Sequence, residues 1–266
     1  KIAQDGGLLI GALTGASLFS AFGLGVAYIF VVIINFLSVL LTMGVSAAHP
    51  RFDRADKSLK PRESLSQLKE LRDGFSYIWN SPAVLAIISL AFLANLTAFP
   101  ISHGLMPFIA KEVLLTDESG LGHLLAAFSL GSLLGSFVLA WTINQKYSNK
   151  IMMIGMITWY VMLAMLALAQ SKEMALLILA LVGIGHSLAT VSMAAALLAV
   201  TDQFVRGRVI GVRMLAVYGI PLGLVSSGVL IEGIGFIPFL LGYVIIGITI
   251  TFLIGLKWRS AIWQNL

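Results

Sequence analysis

Eight long apolar stretches follow one another along this chain, separated by short polar breaks, and one charged segment, Ala48 to Pro82, divides them two and six. A helix that crosses the roughly 30 Å hydrocarbon layer needs about 20 mostly apolar residues, and each of its backbone N–H and C=O groups must be paired within the segment. The expected fold class is therefore all-α, a polytopic transmembrane helix bundle. With 11% charged and 59% hydrophobic residues, the chain is far from the roughly 25% charge of a soluble domain. The expected spans are 3–22, 25–46, 83–110, 120–143, 151–169, 174–200, 209–231 and 236–256.

The breaks between these spans alternate sides, and the basic residues do not. One side holds Lys1, Arg51, Arg54, Lys57, Lys60, Arg62, Lys69, Arg72, Lys146, Lys150, Arg206, Arg208, Arg213, Lys257 and Arg259, whereas the other holds only Lys111 and Lys172. Cytoplasmic loops collect Lys and Arg, so the charged segment and the C-terminus are expected to be cytoplasmic in a multi-pass protein of the inner, or plasma, membrane. The net charge of +5 thus reads as loop charge, with no nucleic acid as partner. No cysteine is present, which excludes a disulfide framework, a thiolate nucleophile and a Cys-based metal site. The chain enters its first helix without an initiator Met or charged leader and reads as a fragment.

Residues 1–46 then read as the last two helices of an N-terminal bundle, 47–82 as a cytoplasmic linker, 83–259 as a C-terminal six-helix bundle and 260–266 as a tail. In the linker, Leu65, Leu68, Leu71, Phe75 and Ile78 recur at three and four residues among charges. This spacing predicts an amphipathic helix on the membrane face or against the inner helix ends, either coupling two halves or simply connecting them.

Gly7, Gly11 and Gly15 in the first span share their spacing with Gly219, Gly223 and Ser227 in the seventh, at a constant offset of 212, and Gly23 matches Gly235 at the same offset. Small residues every fourth position let helices approach closely. A repeat of this kind predicts two similar halves in series, as in transporters whose halves are related by an axis along the membrane normal. Extrapolated backward, it places four further helices before Lys1, so eight of twelve are present.

Ionisable groups inside a membrane helix are costly and usually face a cavity. His186 sits near the middle of its span, one turn before Thr190; the imidazole suits proton coupling, substrate hydrogen bonding or an interhelical bond. Asn95, Phe99, Ser102, His103 and Met106 fall three and four apart on one face, with Pro100 and Pro107 expected to break the outer half of their helix into a gate. A polar seam between helices is the competing reading for Asn95 and His103. Asp5 lies about 26 Å from Phe22 along the helix, which puts it near the cytoplasmic edge with interfacial solvation favoured over a buried coupling carboxylate. Arg213 is expected to snorkel to the same interface, and Tyr218 is a candidate cavity residue. No Gly-rich phosphate loop, His-Glu-x-x-His or Gly-x-Ser-x-Gly occurs, so nothing points to ATP hydrolysis, catalytic residues, a metal or a cofactor, and no enzyme is expected.

Four stretches resemble the major facilitator superfamily, specifically its bacterial efflux branch with the enterobactin exporter and macrolide efflux proteins. Leu68-Lys69-Glu70-Leu71-Arg72-Asp73-Gly74-Phe75-Ser76-Tyr77-Ile78 followed by Asn80-Ser81-Pro82 looks like the approach to that family's seventh helix, and Asn95 with Leu105-Met106-Pro107-Phe108-Ile109-Ala110-Lys111-Glu112-Val113-Leu114 is similar to the helix itself. Leu124-Leu125-Ala126-Ala127-Phe128-Ser129-Leu130-Gly131-Ser132-Leu133-Leu134-Gly135-Ser136 looks like the eighth helix, and Arg206-Gly207-Arg208-Val209 the entry to the eleventh. The loop from Thr142 to Lys150 keeps the family's bases, Lys146 and Lys150, but lacks its acid, and Gly6-Gly7-Leu8-Leu9-Ile10-Gly11 lacks the proline common in the fifth helix of exporters.

The resemblance implies the fifth to twelfth helices of a secondary transporter, a proton-coupled antiporter exporting a small amphipathic compound by alternating access. Its partners would be the lipid bilayer, a small-molecule substrate, protons and the missing N-terminal helices of the same protein. It makes Gly131 and Gly135 helix-packing positions beside Gly7, Gly11, Gly15, Gly219 and Gly223, and places Lys146, Lys150, Arg206 and Arg208 in cytoplasmic loops. A membrane protein of this fold serving as a sensor or scaffold is the alternative.

Overall fold

The structure, a computed structural model, describes residues 1–44, 67–142 and 147–260. Among these residues it contains helices and turns and no strand: α1 (Ile2–Met43), α2 (Gln67–Asn80), α3 (Pro82–Gly104), α4 (Glu118–Thr142), α5 (Ser148–Met165), α6 (Lys172–Val200), α7 (Arg206–Ile234) and α8 (Phe236–Lys257). All but α2 are long and apolar enough to cross a membrane. At 42 residues, α1 would extend about 63 Å, twice the hydrocarbon thickness. It does not run straight: Gly23 takes φ 80° and ψ 174° and divides it into two arms of about 20 residues, each long enough for one crossing. The expected all-α bundle is present, with α1 supplying the first two crossings and α3 to α8 the other six.

Gly23 and Gly235 are the two positive-φ glycines among the described residues, and their angles nearly coincide, φ 85° and ψ 165° at Gly235. A residue with a Cβ rarely takes this conformation, so the positions 212 apart need glycine for one physical reason. Gly235→Ala is expected to lower stability by about 1–3 kcal/mol, seen as a lower thermal midpoint in detergent. The nearest atom to the added Cβ would be Pro238 Cδ at 4.0 Å, so the loss would come from backbone strain and not collision. An unchanged midpoint would contradict this.

Glycines also set how closely the helices meet. Without a hydrophobic force between helices in lipid, close van der Waals contact carries their association. A Cβ at Gly131 would strike the Ala180 carbonyl on α6, and one at Gly183 the Phe128 carbonyl on α4, so α4 and α6 meet backbone to backbone. Gly219 and Gly223 of α7 do the same against Phe92, Leu96 and Pro100 of α3, and Gly135 lies against Ile184 and Ser187. Gly7, Gly11 and Gly15 differ: nothing comes within 4 Å of their added Cβ atoms. They line an apolar groove of about 540 Å³ between the two arms of α1. The first arm packs on α4, where Gly122 approaches Ala16.

Between the arms and the bundle, the connector contributes α2. Gly74 lets α2 come down on Val212 and Arg208 of α7, Ile78 is buried, and Tyr77 Oη accepts from the Asp202 N–H at 3.3 Å. Phe75, expected on the packed stripe, is exposed, because the side that touches α7 is the one opened by Gly74. Leu65 and the linker bases Arg51 to Arg62 lie outside the described residues, as does Lys146.

In α3 the outer half stays helical where a break is expected. Ala94–Ala98 and Pro100–Gly104 form wide π turns, continued by Met106–Phe108 and Ile109–Val113. Pro100 has no N–H to give to the preceding turn, and the turn that follows it is closed by an i→i+5 bond from Leu105 N–H to the Pro100 carbonyl at 2.8 Å.

Candidate functional site

A cavity of about 660 Å³ opens among the first arm of α1, α3, α6 and α7. From α3 come Asn95, Phe99 and His103, four residues apart; a π turn is wider than an α turn, which brings such residues into line. Ser102 and Met106, expected on the same face, are fully buried elsewhere: Ser102 Oγ donates to the Ala98 carbonyl at 2.9 Å and accepts from Trp159 Nε1 at 3.0 Å. Asn95 lines the cavity and also ties α3 to α7, its amide donating to the Ala216 carbonyl at 3.0 Å, where a 3₁₀ turn interrupts the α-helical bonding.

From α6 come His186 and Thr190. His186 is 2% exposed, and Thr190 Oγ1 donates to its carbonyl at 2.9 Å. Around the imidazole stand the rings of Phe99, Phe128 and Trp159, with centroids 5.3, 5.2 and 4.8 Å away. His103 closes the group, 5.9 Å from His186 and 4.7 Å from Phe128.

Asp5 departs most from expectation. Instead of meeting water at the membrane edge it is 3% exposed, with Ser132 and Ser136 of α4 donating to its Oδ2 at 3.0 and 3.1 Å and Lys1 Nζ at 3.1 Å from Oδ1. These serines precede Thr142, the last residue of α4, by ten and six positions. At 1.5 Å per residue the carboxylate therefore lies roughly 9–15 Å inside that helix end. Counting along α1 alone could not reveal this, because the neighbouring helix, not the length of α1, determines the depth.

The same serines extend the network. Ser132 Oγ is 3.4 Å from His186 Nδ1, and Ser136 Oγ is 2.8 Å from Ser187 Oγ. An ionised carboxylate only accepts and a hydroxyl has one hydrogen. Of the two ring nitrogens of His186, Nδ1 is the one beside Ser132, and Nε2 lies on the other side of the ring. It has no partner and is buried.

Two positive groups face the cavity, Lys1 and Arg213. They are related by the offset of 212, as are Asp5 and Val217, and all four border this space. Arg213, half-buried in the first turns of α7, borders this cavity. Tyr218 is 67% exposed and stands outside it. At the basic end, Arg206 Nη2 donates to the Leu198 carbonyl at 3.0 Å, Arg208 packs beside Gly74, and Lys150 Nζ sits 5.8 Å from the Tyr147 ring centre.

Sequence reading missed Ser132, Ser136, Phe128 and Trp159. The serines alternate with Gly131 and Gly135 at helical spacing, a small polar stripe that signals a close helix contact able to receive a buried carboxylate. Nothing in the sequence singles out the two rings from the many aromatic residues.

The chain matches the family described as transmembrane secretion effector (MFS_3) over residues 8–265. It is also similar to the multidrug efflux pump Tap of Mycolicibacterium fortuitum, 26% identical over 188 residues that cover 68% of this chain and 45% of that relative. The chain thus spans less than half the length of the curated relative it matches. With helices long and apolar enough to cross a membrane along the described chain and a family match over nearly its whole length, the protein belongs to the transmembrane secretion effector family of major facilitator transporters.

Proposed function

We propose that the chain is part of a proton-coupled exporter of a small amphipathic compound, working by alternating access in the plasma membrane with the basic loops and C-terminus in the cytoplasm. One observation carries the reading: a carboxylate 3% exposed in the bundle joins α1 to α4 through two serines and reaches His186 through one of them. Such a charge is costly in a membrane protein and is retained where ions or substrates pass. Protonating Asp5 would remove its attraction to Lys1 and turn two charge-assisted hydrogen bonds into weaker neutral ones. The seam between α1 and α4 loosens as the proton binds, which is the event an antiporter needs. The similarity to a protein named as a multidrug efflux pump supports the export direction.

The apolar groove along Gly7, Gly11 and Gly15 supports a preceding half as part of the working transporter. At the equivalent positions, Gly219 and Gly223 receive α3. A helix equivalent to α3 would fill the groove in the same way.

Expressed as the complete reading frame, the protein is expected to lower cellular retention of at least one compound in a panel of dyes, antibiotics and siderophores, and a proton uncoupler is expected to abolish the difference. Efflux indifferent to the uncoupler would remove proton coupling. No efflux of any compound from a well-expressed protein would favour a sensor or scaffold of the same fold.

A further inference from the structure

We propose that Asn95 is a positioning residue for transport: its amide latches a joint in α7, about which the basic first run of that helix, together with α2, turns against a fixed second run. This deepens the exporter reading and rests on the cavity changing shape during transport. The joint has a cause in the sequence. Pro221 cannot donate to the Val217 carbonyl, and its ring crowds that carbonyl, so regular α winding is interrupted there. Ala216–Tyr218 takes a 3₁₀ turn instead, between the α-helical runs Arg206–Leu215 and Gly219–Ile234. A short 3₁₀ stretch inside a helix often marks a hinge.

The two runs are anchored to different partners. Gly219 and Gly223 bring the second run onto the backbone of α3, so close that a Cβ at Gly223 would strike the Leu96 carbonyl. The first run instead carries α2, through Gly74 against Arg208 and Val212 and through Tyr77 at the turn before it. Arg213 and Met214 near the end of the first run, and Val217 in the joint, border the cavity, so turning about the joint reshapes this wall. One side chain reaches the joint from α3. Asn95 lies in the π turn Ala94–Ala98, and its Nδ2 donates to the carbonyl of Ala216, the residue that caps the first run, at 3.0 Å. Gly219 makes room for this reach, because a Cβ there would stand 3.1 Å from Asn95 Cβ. Of the two ends of the amide only the NH₂ can bond a carbonyl, which fixes the direction of the bond. It ties the first run to the helix that holds the second, and turning about the joint breaks it.

This chain has no cysteine, so spin labels on introduced ones can be read in the complete transporter once any cysteine elsewhere is changed to serine. Gly211→Cys on the first run and Val229→Cys on the second lie on one exposed face of α7, about 27 Å apart along a straight helix. Pulsed double-resonance distances are expected to show one dominant separation in the unchanged joint. Asn95→Leu is expected to raise the population of a second separation about fivefold, the shift that loss of one hydrogen bond produces. Adding Pro221→Ala returns a donor to Val217 and regular winding to the joint, and is expected to bring the second population back down. A control pair, Val229→Cys with Leu177→Cys on α6, avoids the joint and is expected to stay unchanged, which a general loosening of the bundle would not allow. Should Asn95→Leu not fold, Pro221→Ala alone decides, with a narrower distribution expected than in the unchanged joint. A distribution that Asn95→Leu leaves as it was, that Pro221→Ala does not narrow, or that changes equally in the control pair would overturn the proposal. Efflux is scored separately and is expected to fall about fivefold in Asn95→Leu. Undiminished efflux from that variant overturns this inference alone, and no efflux of any compound by the unchanged transporter, with distances that move as expected, overturns the exporter reading alone.

Discussion

Gly131→Leu is expected to prevent the bundle from assembling, with a loss of more than about 3 kcal/mol and little monodisperse protein recovered from detergent. The added side chain would have to enter where the Ala180 carbonyl of α6 already stands, and backbone cannot move aside as a flexible side chain can. The contact is reciprocal, since Gly183 faces the Phe128 carbonyl on α4, so a shift that relieves one glycine presses on the other helix. Gly228→Leu provides the control in the same chain: it lies on the exposed face of α7 with nothing within 4 Å of an added Cβ. Comparable yield and elution profile for both variants would show that the close approach of α4 and α6 is not what holds the bundle.

Asp5→Asn should leave the fold in place and cost transport on the order of tenfold or more. Asparagine has the shape of aspartate and keeps an oxygen to accept from Ser132 or Ser136, yet it neither takes up a proton nor neutralises Lys1. Dye retention in cells carrying the complete transporter with this change should approach that of cells without it and stop responding to an uncoupler. Asp5→Leu is harsher, because it removes the oxygen that accepts from the buried Ser132 and Ser136 hydroxyls as well as the partner of Lys1. Active, uncoupler-sensitive efflux by Asp5→Asn would transfer the coupling role away from this carboxylate.

Much of the candidate site can be read in the chain because membrane helices make rare residues conspicuous. His186, His103 and Asn95 are polar groups in otherwise apolar spans, and all three border the cavity. Phe99 and Thr190 follow from helical spacing alone. Tyr218 meets the same criteria and fails, since a 3₁₀ turn at Ala216–Tyr218 alters which way the helix faces just there. A single sequence carries no mark of so small a change in winding. Ser132 and Ser136 went unread for the opposite reason: serine is common enough in membrane helices that only the carboxylate opposite gives these two a meaning.

By itself, the sequence determined the eight crossings and the reversals between them, because backbone in lipid has to pair internally over about 20 residues and because Gly23 and Gly235 stand where only glycine fits. The offset of 212 that joins these glycines is likewise a property of the chain. Tertiary structure alone decided that Asp5 is buried beneath α4 and not solvated at an interface, that one of its carboxylate oxygens leads by way of Ser132 to His186, and that Phe128 and Trp159 enclose that imidazole. Periodicity states which way a side chain leaves its own helix. How deep that helix sits against its neighbour, and which groups wait there, depend on the close contacts between helices, and those are settled only when all of them pack at once.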